Sequence, residues 1–108
     1  MTAQNIIDEA RLLLNDANAT RWSNATLLIY IKDFLDELWT VRRSAFYTSA
    51  IVTTQPTQPT TVGDTVSIDN SYRMAGAHYL CYLAFLEDTD DTGNAKKASE
   101  HRALYEKA

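Results

Sequence analysis

Apolar positions recur at helical spacing in the first run of the chain, TAQNIIDEARLLLND. Ile6, Ile7, Ala10, Leu13 and Leu14 share one broad face, while Asp8, Glu9 and Arg11 point away from it. Thr2 is placed to cap this helix, and Asp16 and Asn18 to end it, because their side chains compete for backbone hydrogen bonds. A second periodic run follows Ser23, whose hydroxyl can accept from a free N–H of the new helix. Leu27, Leu28, Ile31, Leu35, Leu38 and Trp39 form its apolar face. Tyr30, Phe34 and Val41 widen that face, and Lys32, Asp33, Asp36 and Glu37 cover the solvent side. A face this broad predicts packing against more than one neighbour. The helix is expected to end near Arg43 or Ser44, where cations suit its negative end.

The period then changes. FYTSAIVTT is β-branched and aromatic, with Tyr47, Ser49, Ile51 and Thr53 alternating against Thr48, Ala50, Val52 and Thr54. QPTQPTTVGD contains helix-breaking prolines and a Gly63-Asp64 turn signal, and TVSI reads as a short return strand. Residues 46–68 are therefore expected as an extended arm or hairpin, and because a lone hairpin is marginal in water, it should lean on the helices or on another subunit. A third helix is predicted after Asp69 or Asn70. Tyr72, Ala75, Tyr79, Leu80, Leu83 and Leu86 line one side, and Met74, Cys81, Tyr82 and Phe85 lie on others, which suits a central position. EDTDDTGN interrupts it, with Asp91 or Thr92 able to cap a last helix whose apolar stripe is thin: Ala95, Ala98 and Tyr105, plus Leu104. The predicted fold is one mainly α domain over 1–108, a small bundle of about four helices. A short β-prone arm joins helices two and three, and residues 92–108 form a C-terminal docking helix.

Size and charge narrow the function. At 108 residues and 45% hydrophobic, the chain suits one domain with a core. A net charge of −4 disfavours free nucleic acid as the primary ligand, since phosphate binding uses a basic stripe. One cysteine, Cys81, allows no internal disulfide and suits a reducing compartment. MTAQNIIDEA has neither a basic lead nor an apolar core, so no signal peptide is expected. The longest apolar block, Met74 to Leu86, has 13 residues, whereas a membrane span takes about 20. A soluble intracellular protein that does not use a membrane is expected.

Candidate chemistry is sparse. His78 and Cys81 lie three apart on one side of a helix and could meet, but zinc takes more ligands than two. His101, between Glu100 and Arg102, reads as part of a solvated face, and Cys81 as a small buried hydrophobe. Asp88, Asp90 and Thr92 mimic the start of a calcium loop, with Gly93 at its sixth position. Its twelfth position is Ser99, so the closing carboxylate is missing. No nucleophile–base pair stands out, three glycines make no phosphate loop, and Arg42-Arg43 and Lys96-Lys97 read as surface charges. No catalytic residue, metal ligand or cofactor is expected. The six tyrosines read mainly as core, and also suit a subunit interface.

Three motifs in order carry a resemblance. Ile6, Ile7, Asp8, Ala10, Arg11, Leu13, Leu14 and Asp16 match IIDxARxLLxD, and Arg21, Trp22, Ser23, Ala25, Leu27 and Leu28 match the start of RWSxAxLLxxLxxxxxE. Gly93, Asn94, Ala95, Ala98, His101 and Tyr105 match GNAxxAxxHxxxY. This order resembles the head-to-tail adaptor, or neck connector, proteins of tailed bacteriophages. Many members of that family carry a larger β-rich insertion where this chain has only residues 46–68. The resemblance implies a virion protein of the neck, present in the host cytoplasm during assembly. It implies a homo-oligomeric ring, commonly a dodecamer, that binds the portal protein and docks tail or nozzle proteins. DNA would pass through the lumen without sequence-specific binding. In that setting Trp22 reads as a hinge pin over the ends of the first two helices, beside the cap Ser23. Asp33, Asp36 and Glu37 are candidates for an acidic lumen that repels the DNA backbone. The last helix, through Ala98, Arg102, Leu104 and Tyr105, is the candidate portal grip, since its stripe looks too thin to hold it to its own bundle. Tyr47, Ile51 and Val52 of the arm are candidates for strand pairing with a neighbouring subunit. Two other readings remain open: a small regulatory module that dimerises through its apolar helices, and a metal-dependent enzyme using His78, Cys81 and the acidic turn.

Overall fold

A computed structural model describes residues 1–14, 22–47, 50–87 and 94–107. Among these residues are four helices: α1 (Ala3–Leu14), α2 (Asn24–Val41), α3 (Arg73–Glu87) and α4 (Asn94–Lys107). Short 3₁₀ turns lie at Arg43–Phe46 and Asn70–Tyr72. The fold is the small, mainly helical bundle that the apolar spacing predicts, and no strand occurs among the described residues.

At the start of α1, Thr2 and Asn5 bond reciprocally. The Thr2 N–H donates to Asn5 Oδ1 at 2.8 Å, and the Asn5 N–H approaches Thr2 Oγ1 at 3.4 Å. This is the geometry of a capping box with asparagine in the acceptor role. Ala3, Ile6, Ile7, Ala10, Arg11 and Leu14 are buried. The face is thus displaced from the predicted one: Leu13 is half out at 38% exposure, and Arg11, expected in solvent, is inside. Residues 7, 11 and 14 stack one above another on a helix, which carries Arg11 inward. Asp16 and Asn18, expected to end this helix, lie outside the described residues.

Ser23 caps α2 by accepting from the Thr26 N–H at 3.1 Å. Leu27, Tyr30, Ile31, Phe34, Leu35 and Leu38 then alternate at three- and four-residue steps and are all buried. Val41 continues that row, but the helix ends there and the side chain stays 68% exposed. Arg43 closes the end as expected of a cation. Its Nε donates to the Trp39 carbonyl at 3.3 Å and its guanidinium lies 4.4 Å from the centre of the Trp39 ring.

The β-prone arm takes the extended-loop form, not the hairpin. Phe46 is drawn into the 3₁₀ turn and buried edge-on to Trp39, at 5.3 Å between ring centres. Thr48 and Ser49 lie outside the described residues. Further along, side chains anchor the arm: Gln55 and Gln58 donate to Asp36 Oδ1, and Gln58 also donates to the Lys32 carbonyl. The predicted return strand TVSI makes a single bridge, Thr65 to Thr2. The turn just before it satisfies the first turn of α1. Ala3 and Gln4 donate their N–H groups to the carbonyls of Asp64 and Val62, at 3.0 and 2.8 Å. Val66 and Ile68 drop into the core. β-propensity reflects packing on a sheet, and with no sheet to join, this segment serves a helix end instead.

Asp69 opens the approach to α3 by accepting from the Ser71 N–H at 2.9 Å. α3 is the central element, packed on α1, α2 and α4. Gly76 sits where these helices crowd: a Cβ there would lie 3.1 Å from both Ile6 Cγ2 and Phe34 Cε2.

Candidate functional site

The face of α4 that meets α3 is written as Ala98, His101, Arg102 and Tyr105, at steps of three and four. Ala98 and Tyr105 are buried, at 2% and 7% exposure. Tyr105 packs edge-on against Phe34 and Tyr79, with ring centres 5.9 and 5.0 Å away. The thin stripe therefore does hold α4 to its own bundle, contrary to expectation. The missing part of the face is polar: an apolar count passes over His101 and Arg102, which complete it.

Arg102 is the centre of this contact. Its Nη1 and Nη2 bond the two carboxylate oxygens of Glu37 on α2, at 3.0 and 2.9 Å, and its Nε bonds Glu106 at 2.8 Å. The guanidinium carbon lies 5.8, 5.3 and 5.2 Å from the ring centres of Tyr79, Tyr82 and Tyr105. A bidentate pair with aromatic rings around the cation is among the stronger polar contacts available. Donating to the Glu37 carboxylate raises the Arg102 pKa further. Burial, and then Glu37, push the Tyr105 hydroxyl well above the usual phenol range; Tyr79 is pushed up to about 12 by burial and the same carboxylate.

Two histidines meet beside this pair. His78 Nδ1 and His101 Nδ1 are 2.9 Å apart, and Phe85 stacks on His101 at 5.7 Å between ring centres. His101 is thus not on a solvated face. Burial lowers the pKa of both imidazoles, and the charge of His78 lowers that of His101 further. His78 does not meet Cys81. That thiol is buried toward α1, 3.7 Å from the Ala10 carbonyl, and burial pushes its pKa up to about 12. Among the described residues, no three histidine, cysteine or acidic side chains converge as metal ligands. The calcium-like acids Asp88, Asp90 and Asp91, and Thr92 as a cap, lie outside the described residues.

Trp22 is 8% exposed, and its ring meets Phe85 of α3 edge-on at 6.2 Å. It thereby reaches past the ends of the first two helices to the central one. Its carbonyl accepts from buried Arg11 Nη1 at 2.8 Å, while Arg11 Nη2 donates to Asn24 Oδ1 at 2.6 Å. Two turns further along α2 the same end of α3 is tied again, by Tyr30, whose hydroxyl donates to Glu87 Oε2 at 2.6 Å. Arg11, Glu87 and His101 are polar residues whose partners lie on other helices, and spacing within one helix does not reveal them.

The remaining candidate residues separate by exposure. Asp33 and Asp36 face outward, whereas Glu37 is engaged by Arg102. Ile51 is 77% exposed, Tyr47 37% and Leu104 43%, with Val52 half-buried. A cleft of about 260 Å³ opens between the end of α2, the start of α3 and α4. Val41, Tyr72 and Ala75 line its apolar part, and Arg42, Arg102 and Glu106 its charged part. No helix among the described residues is long and apolar enough to cross a membrane. Comparison with known proteins yields no match of the chain to any family model, curated protein or solved structure.

Proposed function

We propose that this chain is a structural adaptor that acts by association: a subunit of a ring at the neck of a tailed phage, seated on the portal and offering a surface to tail components. The observation that carries the reading is the set of large apolar side chains left at the surface of a well-packed bundle. Leu12, Ile29, Val41 and Ile51 are 73%, 58%, 68% and 77% exposed. Apolar side chains exposed at separate places on one subunit are compatible with heterologous contacts that close into a ring. The ordered motifs around Trp22 and in the last helix support the same assignment.

Exposure refines the roles. Ile51 stands on an arm of residues 44–63 that contains no charged residue, so covering it desolvates no charge. Asp33 remains the acid open to a lumen, while Asp36 is exposed but already accepts from Gln55 and Gln58. With α4 docked on its own bundle, Leu104 is the outward member of the portal-grip set. Ala98, Arg102 and Tyr105 reach a partner only when that helix departs. A dodecamer would multiply the charge of −4 per chain, making a wall along which DNA slides.

The test is binding to isolated cognate portal rings by wild type, Ile51→Asp and Leu104→Asp. An interface residue of this kind is worth at least about tenfold in affinity. Each variant should weaken attachment by that factor while its melting temperature stays unchanged. Attachment unaltered in both variants would contradict the assignment. A stable dimer by light scattering, with no affinity for portal rings, would favour the regulatory module instead.

A further inference from the structure

We propose that His78 and His101 form a one-proton latch that holds the C-terminal helix α4 on α3 and opens when both imidazoles are protonated. The two ring centres are 5.2 Å apart, the two Nδ1 atoms 2.9 Å apart, and the rings are tilted by 30°. The difference between those distances is little more than the two ring radii, so both nitrogens lie close to the line joining the ring centres. The bond or lone pair at a ring nitrogen points radially outward, so each Nδ1 is aimed at the other. This is the arrangement of a single N–H···N hydrogen bond, with one ring donating from Nδ1 and the other accepting there. It is not the arrangement of a chelate, in which the two lone pairs converge on a third point.

The proton count follows from this geometry. In the neutral pair one proton lies between the rings. A first added proton goes to the Nε2 of the donor ring and leaves the hydrogen bond in place. A second has only the accepting Nδ1 left, and it sets two N–H groups and two positive charges against each other. Among the described residues, little compensates. Among the described residues, Glu100 of α4 is the one carboxylate that acts on the pair. Lys97 of α4 adds positive charge 5.4 Å from the centre of the Phe85 ring that stacks on His101. From α2, Glu37 is taken by Arg102. From α1, Arg11 is directed to Trp22 and Asn24, and Glu9 pairs with Arg73 at the start of α3. Burial lowers both histidine pKa values from 6.5, in the direction that the latch requires.

The sign is fixed by linkage. Because the folded values lie below the unfolded ones, the contribution is fully present above about pH 6.5 and is lost as the pH falls below it. Opening would free Arg102 from Glu37 and uncover Tyr79 and Tyr82. This inference does not depend on the adaptor reading.

The chain has only two histidines, and both are in the pair, so an NMR titration of the imidazoles reads the latch directly. We expect two macroscopic steps separated by more than about one pH unit. Two imidazoles titrating independently near their ordinary value would overturn the proposal. Amide hydrogen exchange gives a second readout, with rates corrected for intrinsic pH dependence. Between pH 7.5 and 5.0, α4 should lose about tenfold more protection than α1 in the wild type. The excess should vanish in His101→Asn, whose amide replaces Nδ1 without charging. Equal loss in α1 and α4 of the wild type, or an undiminished excess in the variant, would overturn the latch. If His101→Asn fails to fold, His78→Asn and the wild-type titration still decide.

Discussion

Arg102 of α4 and Glu37 of α2, 65 residues apart in the chain, share a two-pronged ion pair at 3.0 and 2.9 Å. Both side chains are less than a third exposed, at 31% and 26%. The pair joins the last helix to the second across the edge of the third, where Tyr79, Tyr82 and Tyr105 surround the cation. It converts a helix with few apolar residues into an integral part of the bundle. Removing Arg102 takes the cation from a partly buried carboxylate, and removing Glu37 leaves Arg102 with Glu106 alone. Glu37→Gln or Arg102→Met should each cost about 1–3 kcal/mol in urea unfolding. A double-mutant cycle should return a coupling of about 1 kcal/mol, and strict additivity would show that the contact contributes nothing of its own.

Trp22 joins the start of α2 to the last turn of the central helix α3 through Phe85. Trp22→Ala opens a cavity among α1, α2 and α3 and should cost about 3–5 kcal/mol. A thermal melt unchanged by this substitution would remove the pin.

Gly76 tests how closely α3 approaches its neighbours. Alanine is the better helix former by about 1 kcal/mol. Its methyl, however, would press on Ile6 and Phe34, both fully buried and hemmed in. Overpacking of this kind costs about 1–3 kcal/mol, so Gly76→Ala should be destabilising on balance and Gly76→Val clearly more so. A higher melting temperature for the alanine variant would mean that the crossing has slack.

Alkaline pH should loosen the fold. Burial raises the pKa of Cys81 to about 12 and that of Tyr79 to about 12, and it raises Tyr30 and Tyr105 as well. For groups raised in the folded state, the stabilising contribution is whole below the unfolded pKa and drains away as pH climbs toward the folded one. Urea midpoints should therefore hold to about pH 9 and fall beyond it. By the same burial, Cys81 should resist thiol reagents at pH 8 in the native state and react readily once urea unfolds the chain. Fast labelling of the folded protein would place the thiol nearer the surface.

Much of the helical frame was legible because it depends on spacing alone. Ser23 as a cap, the row from Leu27 to Leu38 and the all-round apolar third helix follow from periodicity and hydroxyl chemistry. What spacing could not reveal is pairing between helices. Arg11 looks like a surface charge until the α2 start supplies acceptors for it. His101 looks solvated until His78 meets it from another helix. The form of the arm, extended or hairpin, stayed open for a different reason. Its β-branched residues signal a strand only where a sheet exists, and here the carbonyls of Val62 and Asp64 are engaged by the free N–H groups of α1.

The central claim, that this bundle works by assembling, is tested most directly by imaging the full chain mixed with cognate portal rings by electron microscopy. The adaptor account predicts an added layer of density with the portal's rotational axis, in register with the portal channel. Bare portal rings, with the chain remaining a free monomer at saturating concentration, would contradict it.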